Sequence, residues 1–309
     1  RSPCLTRPEN RRPVWLSHNL QGMGWMLVTT VLIVTMHTMI RHLAEDGLHP
    51  FEIGFFRTFF GAPVVVVLLL KYGWGILKTD QLKVHGIRSF GHVAAMMLFF
   101  LGLSMTPLAT ANALAFTAPL FATVLAVIAL GETIRWRRWA ALIFGFAGTL
   151  VIIRPGFVDV GTGPILVLVS SAIWAVILIV IKTLGKRDST PTIVTYMVLL
   201  MSPIALVPAL FVWVWPTWEQ LGILLVMGVM GTTAHLTLTQ ALRLGDAAVV
   251  MPMDFFKLIW AAAFGVLIFG EFPTLYTWIG GFMIFASATY IALRERALAR
   301  TRAAANKDV

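Results

Sequence analysis

The sequence predicts an all-α integral membrane protein of ten transmembrane helices in two inverted five-helix repeats, with both termini cytoplasmic. Composition is the first observation: of 309 residues, 58% are hydrophobic and 12% charged, and mean hydropathy is +0.84, more apolar surface than a soluble fold hides in one core. The second is length, since about ten runs approach the roughly 20 apolar residues that cross a bilayer as a helix. They are too long, and too free of period-two alternation, for barrel strands. The third is repetition. The stretch 102–153 recurs without a gap as 241–292, so that Leu103, Phe116, Val127, Gly131, Glu132 and Trp139 return as Leu242, Phe255, Val266, Gly270, Glu271 and Trp278. With five spans in each unit, the second unit enters the bilayer from the opposite side, as in carriers that alternate access around a central site.

The first span is expected at 21–43, after a basic, polar tail over 1–19 without an apolar run, so the span itself is the expected insertion signal. The second, 51–71, carries Pro63, and the third, 89–106, follows a basic linker. The fourth, 108–130, carries Pro119 and ends on Gly131-Glu132. The fifth, 138–154, has Ala141, Gly145 and Gly148 at the spacing that lets helices approach closely, between halves or between protomers, and completes a first repeat over 20–156. A second repeat, 157–295, opens with spans at 163–182 and 192–213, the latter holding Pro203 and Pro208. The eighth is expected at 219–241 and the ninth at 247–269; the ninth carries Pro252 and ends on Gly270-Glu271, where glycine closes a helix in the left-handed conformation. The tenth, 274–293, carries Gly280 and Gly281 and leads to a tail over 296–309. Ahead of the strong repeat, Ile40, Leu43, Pro50 and Trp74 fall more loosely against Ile181, Leu184, Pro191 and Trp215. Each proline frees a carbonyl and permits a kink.

A net charge of +10 raises nucleic acid as a partner, but the charges alternate by loop. One side collects Arg1, Arg7, Arg11 and Arg12, then Lys71, Lys78, Lys83 and Arg88, then Arg135, Arg137 and Arg138. Lys182, Lys186, Arg187, Arg243, Arg294, Arg296, Arg300, Arg302 and Lys307 continue the series, against only Arg41 and Arg154 opposite. By the positive-inside rule that basic side is cytoplasmic, and the partners are a lipid bilayer and a small molecule, with no nucleic acid. Cys4 is the only cysteine, which excludes an internal disulfide and a thiolate metal cluster.

A charge inside a span costs roughly 2.5–3.5 kcal/mol on insertion scales and is normally turned inward, so the deep charges locate the site. Arg57 lies about two turns into the second span; Lys257 lies near the middle of the ninth, with Asp254 one turn before it and on the same face. The ninth-span stripe Val250, Asp254, Lys257, Ala261, Gly265 stands against Ala111, Ala115, Ala118, Ala122, Ala126 in the fourth. A charged wall facing a small wall predicts an asymmetric substrate cavity, although small stripes also serve as packing seams. His37 and Glu52 are expected around Arg57, and His235, Thr232, Thr239 and Gln240 on the inner half of the eighth span. Asn112, Thr117, Ser170, Ser171, Trp174 and Tyr196 offer hydrogen bonds or stacking, and His92 is expected to snorkel at the inner interface.

Two five-helix repeats, each with Gly-Glu before a Trp-containing helix, resemble the EamA group of the drug/metabolite transporter superfamily from Gly24 to Arg294. Phe55-Phe56-Arg57, the run 116–121 and Asp254-Phe255-Phe256-Lys257 resemble the branch of S-adenosylmethionine and organic-anion carriers. The resemblance implies a carrier in the inner membrane with a cavity between its halves. The first-helix glutamate of the small four-helix relatives has no counterpart in 21–43, so their proton-coupled export of cationic drugs does not transfer.

The expected function is secondary transport of a small anionic or zwitterionic metabolite, with Arg57, Lys257, Asp254, Asn112, Phe116, Trp174, Tyr196, His37 and His235 as substrate-binding residues. The alternative is a broad amino-acid or drug exporter whose aromatics Phe116, Phe255 and Trp174 bind many cargos. An enzyme is not expected: no metal-ligand spacing, no Gly-x-Ser-x-Gly elbow and no catalytic carboxylate pair occurs, and no cofactor is called for. Coupling ion and direction stay open, as does the choice between monomer and homodimer.

Overall fold

The computed structural model describes residues 14–130, 136–157, 161–184, 187–245 and 247–305. Residues 1–13 of the basic tail, with Cys4, the Gly131-Glu132 stop, Arg135, Lys186 and Lys307 lie outside these residues, as do the side chains of Ala126, Lys182, Arg296, Arg300 and Arg302. Ten helical runs are long and apolar enough to cross a membrane, and no strand forms among the described residues. They are His18–Glu45, Pro50–Tyr72, Leu82–Ser104, Leu108–Leu125, Trp136–Ile153, Thr162–Ile181, Thr190–Leu210, Trp218–Leu244, Pro252–Phe269 and Leu275–Arg294. The third starts seven residues before its expected position. His85, Arg88 and His92 lower hydropathy there without breaking the helix, because they face protein rather than lipid: all three are buried.

Three spans are interrupted, each at a proline. The second is capped at its start by His49, whose Nδ1 accepts from the Phe51 N–H at 3.2 Å. It runs Pro50–Phe59, turns at Phe60-Gly61, and resumes as Ala62–Tyr72 with Pro63 in the first turn, where a missing N–H costs nothing. The fourth is Leu108–Ala115 and Ala118–Leu130, broken at Phe116-Thr117 ahead of Pro119. The ninth has a 3-10 turn, Met251–Phe255, before the helix Phe256–Phe269. Pro203 and Pro208, by contrast, sit inside the unbroken Thr190–Leu210. At the far end of the ninth span Gly270 adopts φ +66°, and Glu271 N–H reaches back to Gly265 O at 2.9 Å, the left-handed stop the sequence suggests.

Packing of the spans is unchanged when the halves are exchanged. The first packs on the eighth and the third on the sixth, which are equivalent pairs under a five-span shift; the second packs on the seventh, the fourth on the ninth and the fifth on the tenth. The symmetry extends to single residues. In the fifth–tenth seam Gly148 lies against Gly280, where a Cβ on Gly148 would come within 2.7 Å of Gly280 O. The repeat maps that pair onto Ser287 and Ala141, and Ser287 Oγ donates to Ala141 O. The small residues of these two spans therefore join the halves of one chain.

Large apolar side chains face outward, including Leu70, Phe157 and Phe211 at more than 80% exposure, the surface that lipid covers. Trp74, Trp136, Trp215 and Trp218 are exposed at span ends, where the bilayer interface favours indole. Inside, buried hydroxyls mostly bond to their own helix. Thr38, Thr58, Thr117, Thr232 and Ser171 each donate to a carbonyl three or four residues back, at 2.7–3.1 Å. Thr239 does the same toward His235 O. Ser170 is different, donating across to Ala95 O on the third span at 2.8 Å.

Candidate functional site

The three helix breaks bring charge and aromatic rings to the interior. Arg57 lies in the last turn of Pro50–Phe59, at the negative end of that segment's dipole, and is 6% exposed. Its Nη1 faces only the Met96 sulfur at 3.6 Å, and its Nε has no partner. Room for the guanidinium comes from Gly231 on the eighth span, where a Cβ would sit 3.0 Å from Nε. Nothing in the sequence marked Gly231, because a glycine reveals its purpose only through what occupies the space beside it. Glu52, expected beside Arg57, instead accepts from the Val214 N–H at 3.2 Å and forms no ion pair with the arginine.

Lys257 Nζ and Asp254 Oδ1 stand 2.6 Å apart, each side chain about one-fifth exposed. The contact is electrostatic rather than an aligned hydrogen bond, and Asp254 Oδ1 has no hydrogen-bond donor. The pair marks the start of Phe256–Phe269, the end of a helix whose dipole favours negative charge. His37 Nδ1 is 2.9 Å from Asn112 Oδ1, while Asn112 Nδ2 donates to Leu108 O at 2.8 Å. With the amide so oriented, Oδ1 must accept, so Nδ1 carries the imidazole proton. His37 lies within electrostatic reach of both Lys257 and Arg57.

Phe116 and Phe255, the repeat partners at the fourth and ninth breaks, stack at 6.2 Å, and Phe285 closes the cluster at 4.6 Å from Phe255. Equivalent residues meet only near the pseudo-twofold axis, so these rings lie beside that axis, next to the fifth–tenth seam. Trp174 stands against His92, centroids 4.6 Å apart, and His92 faces His235 at 6.0 Å. His92 therefore does not snorkel: it is 5% exposed and belongs to this group. Tyr196 does not join the others. Its hydroxyl donates to Leu77 O at 2.8 Å and its ring stacks on His85, which places it by the loop between the second and third spans.

Two polar latches bind the halves at opposite ends of the third span, about 34 Å apart by helical rise. At one end Arg41 makes a two-pronged ion pair with Glu271 and donates to Thr106 O at 2.9 Å, and Glu271 also accepts from the Leu108 N–H at 3.1 Å. At the other, Asp188 accepts from Thr79, Gln81 and His85, at 2.9, 3.3 and 2.8 Å. Both latches tie a first-repeat segment to a second-repeat one, and the charged interior lies between them. Sequence reasoning missed both, since each joins loop ends far apart in the chain. Among the described residues no group of three metal-ligating side chains forms.

The family model for "EamA-like transporter family" matches residues 20–154 and 161–293. The chain belongs to this family. It is a multi-pass membrane transporter of metabolites and not an enzyme. It is 30% identical over 275 residues to an S-adenosylmethionine uptake transporter of Rickettsia bellii, covering 89% of this chain and 94% of the relative. It is also 30% identical over 284 residues to a riboflavin transporter of Vibrio cholerae, covering 90% and 95%. A solved crystal structure superposes with a TM-score of 0.61 over 92% of this chain and 99% of its own, at 19% identity, which supports the fold alone.

Proposed function

We propose that this EamA-family chain carries a small anionic or zwitterionic metabolite across the inner membrane by alternating access, with S-adenosylmethionine the first candidate cargo. The observation that carries the reading is Arg57: a buried guanidinium whose Nη1 finds a thioether sulfur as acceptor, and whose Nε is unpartnered. Such a cation in a lipid-embedded fold needs an anion. A zwitterion also suits Lys257 and Asp254. Its carboxylate takes the ammonium and its cationic centre takes the carboxylate, so the pair opens by exchanging partners and no charge is left bare. The aromatic cluster of Phe116, Phe255 and Phe285 offers a face for the ring system of the cargo.

In this reading the Asp188 end faces the cytoplasm, as the loop charges favour. The two latches then alternate: one opens while the other holds. His37 and Asn112 line the path from the Glu271 end, and His235 and Trp174 the path from the Asp188 end.

Uptake of labelled S-adenosylmethionine into proteoliposomes tests the proposal, with riboflavin in parallel because one relative is named for it. Removing one partner of a buried charge contact costs about 2 kcal/mol or more, roughly 30-fold in affinity. Lys257→Ala and Arg57→Gln are each expected to weaken S-adenosylmethionine transport by at least that factor. Wild-type transport by both variants would sink the assignment. Riboflavin transport indifferent to either substitution would replace it with a neutral, ring-stacking cargo.

A further inference from the structure

The third span carries more positive charge into the protein than the Arg57 and Lys257 reading uses. Arg88 lies two turns inside that helix and is 3% exposed, and its Nε and Nη1 have no partner in the protein. One turn further, His92 Nδ1 is likewise buried and unpartnered. Arg88 is within electrostatic reach of both His92 and His235. Among the described residues, the carboxylate bonded at this end, Asp188, is taken up by His85, Thr79 and Gln81. A buried guanidinium one helical turn from His92, which itself packs on Trp174 and His235, and with no ion pair among the described residues, is a costly arrangement unless an anion visits.

We propose that Arg88, with His92, His235 and Trp174, forms a second anion-binding station that takes a carboxylate or phosphate group, with Trp174 contacting an attached flat ring. Arg88 and Arg57 meet the third span at different depths. Arg57 touches the third span at Met96, eight residues beyond Arg88, or roughly 12 Å along the helix. A small acid moving between the two ends meets the guanidiniums in turn, and His92 and His235 lie within electrostatic reach of both. The station therefore receives the acidic group after it leaves Arg57 on the way to the Asp188 end, or before it arrives there in the reverse direction. Guanidinium suits this task because its planar fork binds two oxygens at once, and an imidazole N–H supplies a third donor. The inference rests on the reading that acid-bearing cargo crosses this interior.

The test is a melting titration of the full-length protein in an uncharged, lipid-free detergent, using inorganic phosphate and succinate against sodium chloride of equal ionic strength. Wild-type protein is expected to be stabilised by mass action. Arg88→Gln is expected to raise the half-saturating concentration at least tenfold, while Arg88→Lys retains part of the response. An Arg88→Gln titration matching wild type overturns the station, as does a wild-type protein that responds to neither anion. Stabilisation by phosphatidylglycerol alone, without response to phosphate or succinate, also overturns it and assigns Arg88 to a lipid headgroup. Should Arg88→Gln fail to fold, Trp174→Ala decides. Wild type is expected to bind benzoate several-fold more tightly than acetate, and Trp174→Ala to lose that preference; an unchanged preference overturns the station. Arg88-dependent titration alongside normal transport by Lys257→Ala would refute the cargo assignment and leave the station standing.

Discussion

Replacing Glu271 with alanine should open the molecule at the Arg41 end. The wild-type carboxylate accepts two N–H groups from Arg41 and one from Leu108, while its side chain is 22% exposed and that of Arg41 12%. A hydrogen bond to a charged group contributes about 1.5–3 kcal/mol when buried, and an exposed ion pair about 0–1. Three bonds at this intermediate exposure give about 2–3 kcal/mol for the contact as a whole. Arg41 keeps Thr106 O at 2.9 Å and Glu45 Oε1 at 3.0 Å, so the loss stops there. At 1.4 kcal/mol per factor of ten, the open population should rise about 30- to 100-fold. Glu271→Gln retains an acceptor for the Leu108 N–H and for one arginine N–H, so its effect should be smaller, about 1 kcal/mol. The assay is labelling by a membrane-impermeant maleimide of a cysteine at Ala111, which is fully buried one turn below Leu108, in a Cys4→Ser background. Labelling should accelerate in the order wild type, Glu271→Gln, Glu271→Ala. Equal rates in all three folded proteins would refute the claim that this contact keeps that end closed.

Other expectations follow from single contacts. Gly231→Ala sets a methyl carbon 3.0 Å from Arg57 Nε, so uptake should fall although alanine never meets the cargo; a wild-type KM would show that Arg57 has slack to move. Tyr196→Phe should cost about 1 kcal/mol of stability through the lost bond to Leu77 O and leave KM unchanged, whereas a raised KM would return Tyr196 to the binding site. Gly148→Val overpacks the seam against Gly280 and should destabilise by about 1–3 kcal/mol, read as a lower melting temperature in detergent; an unshifted melting curve would mean the seam yields.

The architecture was legible in the sequence because lipid allows few alternatives. Apolar runs of sufficient length, an odd-numbered repeat and alternating loop charge leave little besides two opposed helical units. Nine span positions follow from that. The tenth, the third span, starts earlier than hydropathy suggests, since a hydropathy average cannot tell a basic residue facing protein from one in a loop. The same blindness made His92 look superficial and passed over Arg88 as one more loop charge. Local pairing was readable at fixed helical spacing, as with Asp254 and Lys257. Partners across the fold were not: Tyr196 and Leu77, His37 and Asn112, and Arg41 and Glu271 meet only once the helices cross. The prolines signalled bends without showing which helices would part, because an interrupted ladder needs neighbours to satisfy it.

The back-bonded threonines and serines have a mechanical consequence. When a buried hydroxyl donates to the carbonyl one turn earlier, its partner travels with it wherever the helix goes. Two helices whose polar groups are spent in this way meet through methyl groups alone, and one can shift along the other without exchanging a hydrogen bond. Ser170, fixed to the Ala95 carbonyl, is an exception that pins the sixth span to the third. Most of the interior thus behaves as a greased bearing with a few rivets, so resistance to motion is concentrated at the rivets rather than spread through the core.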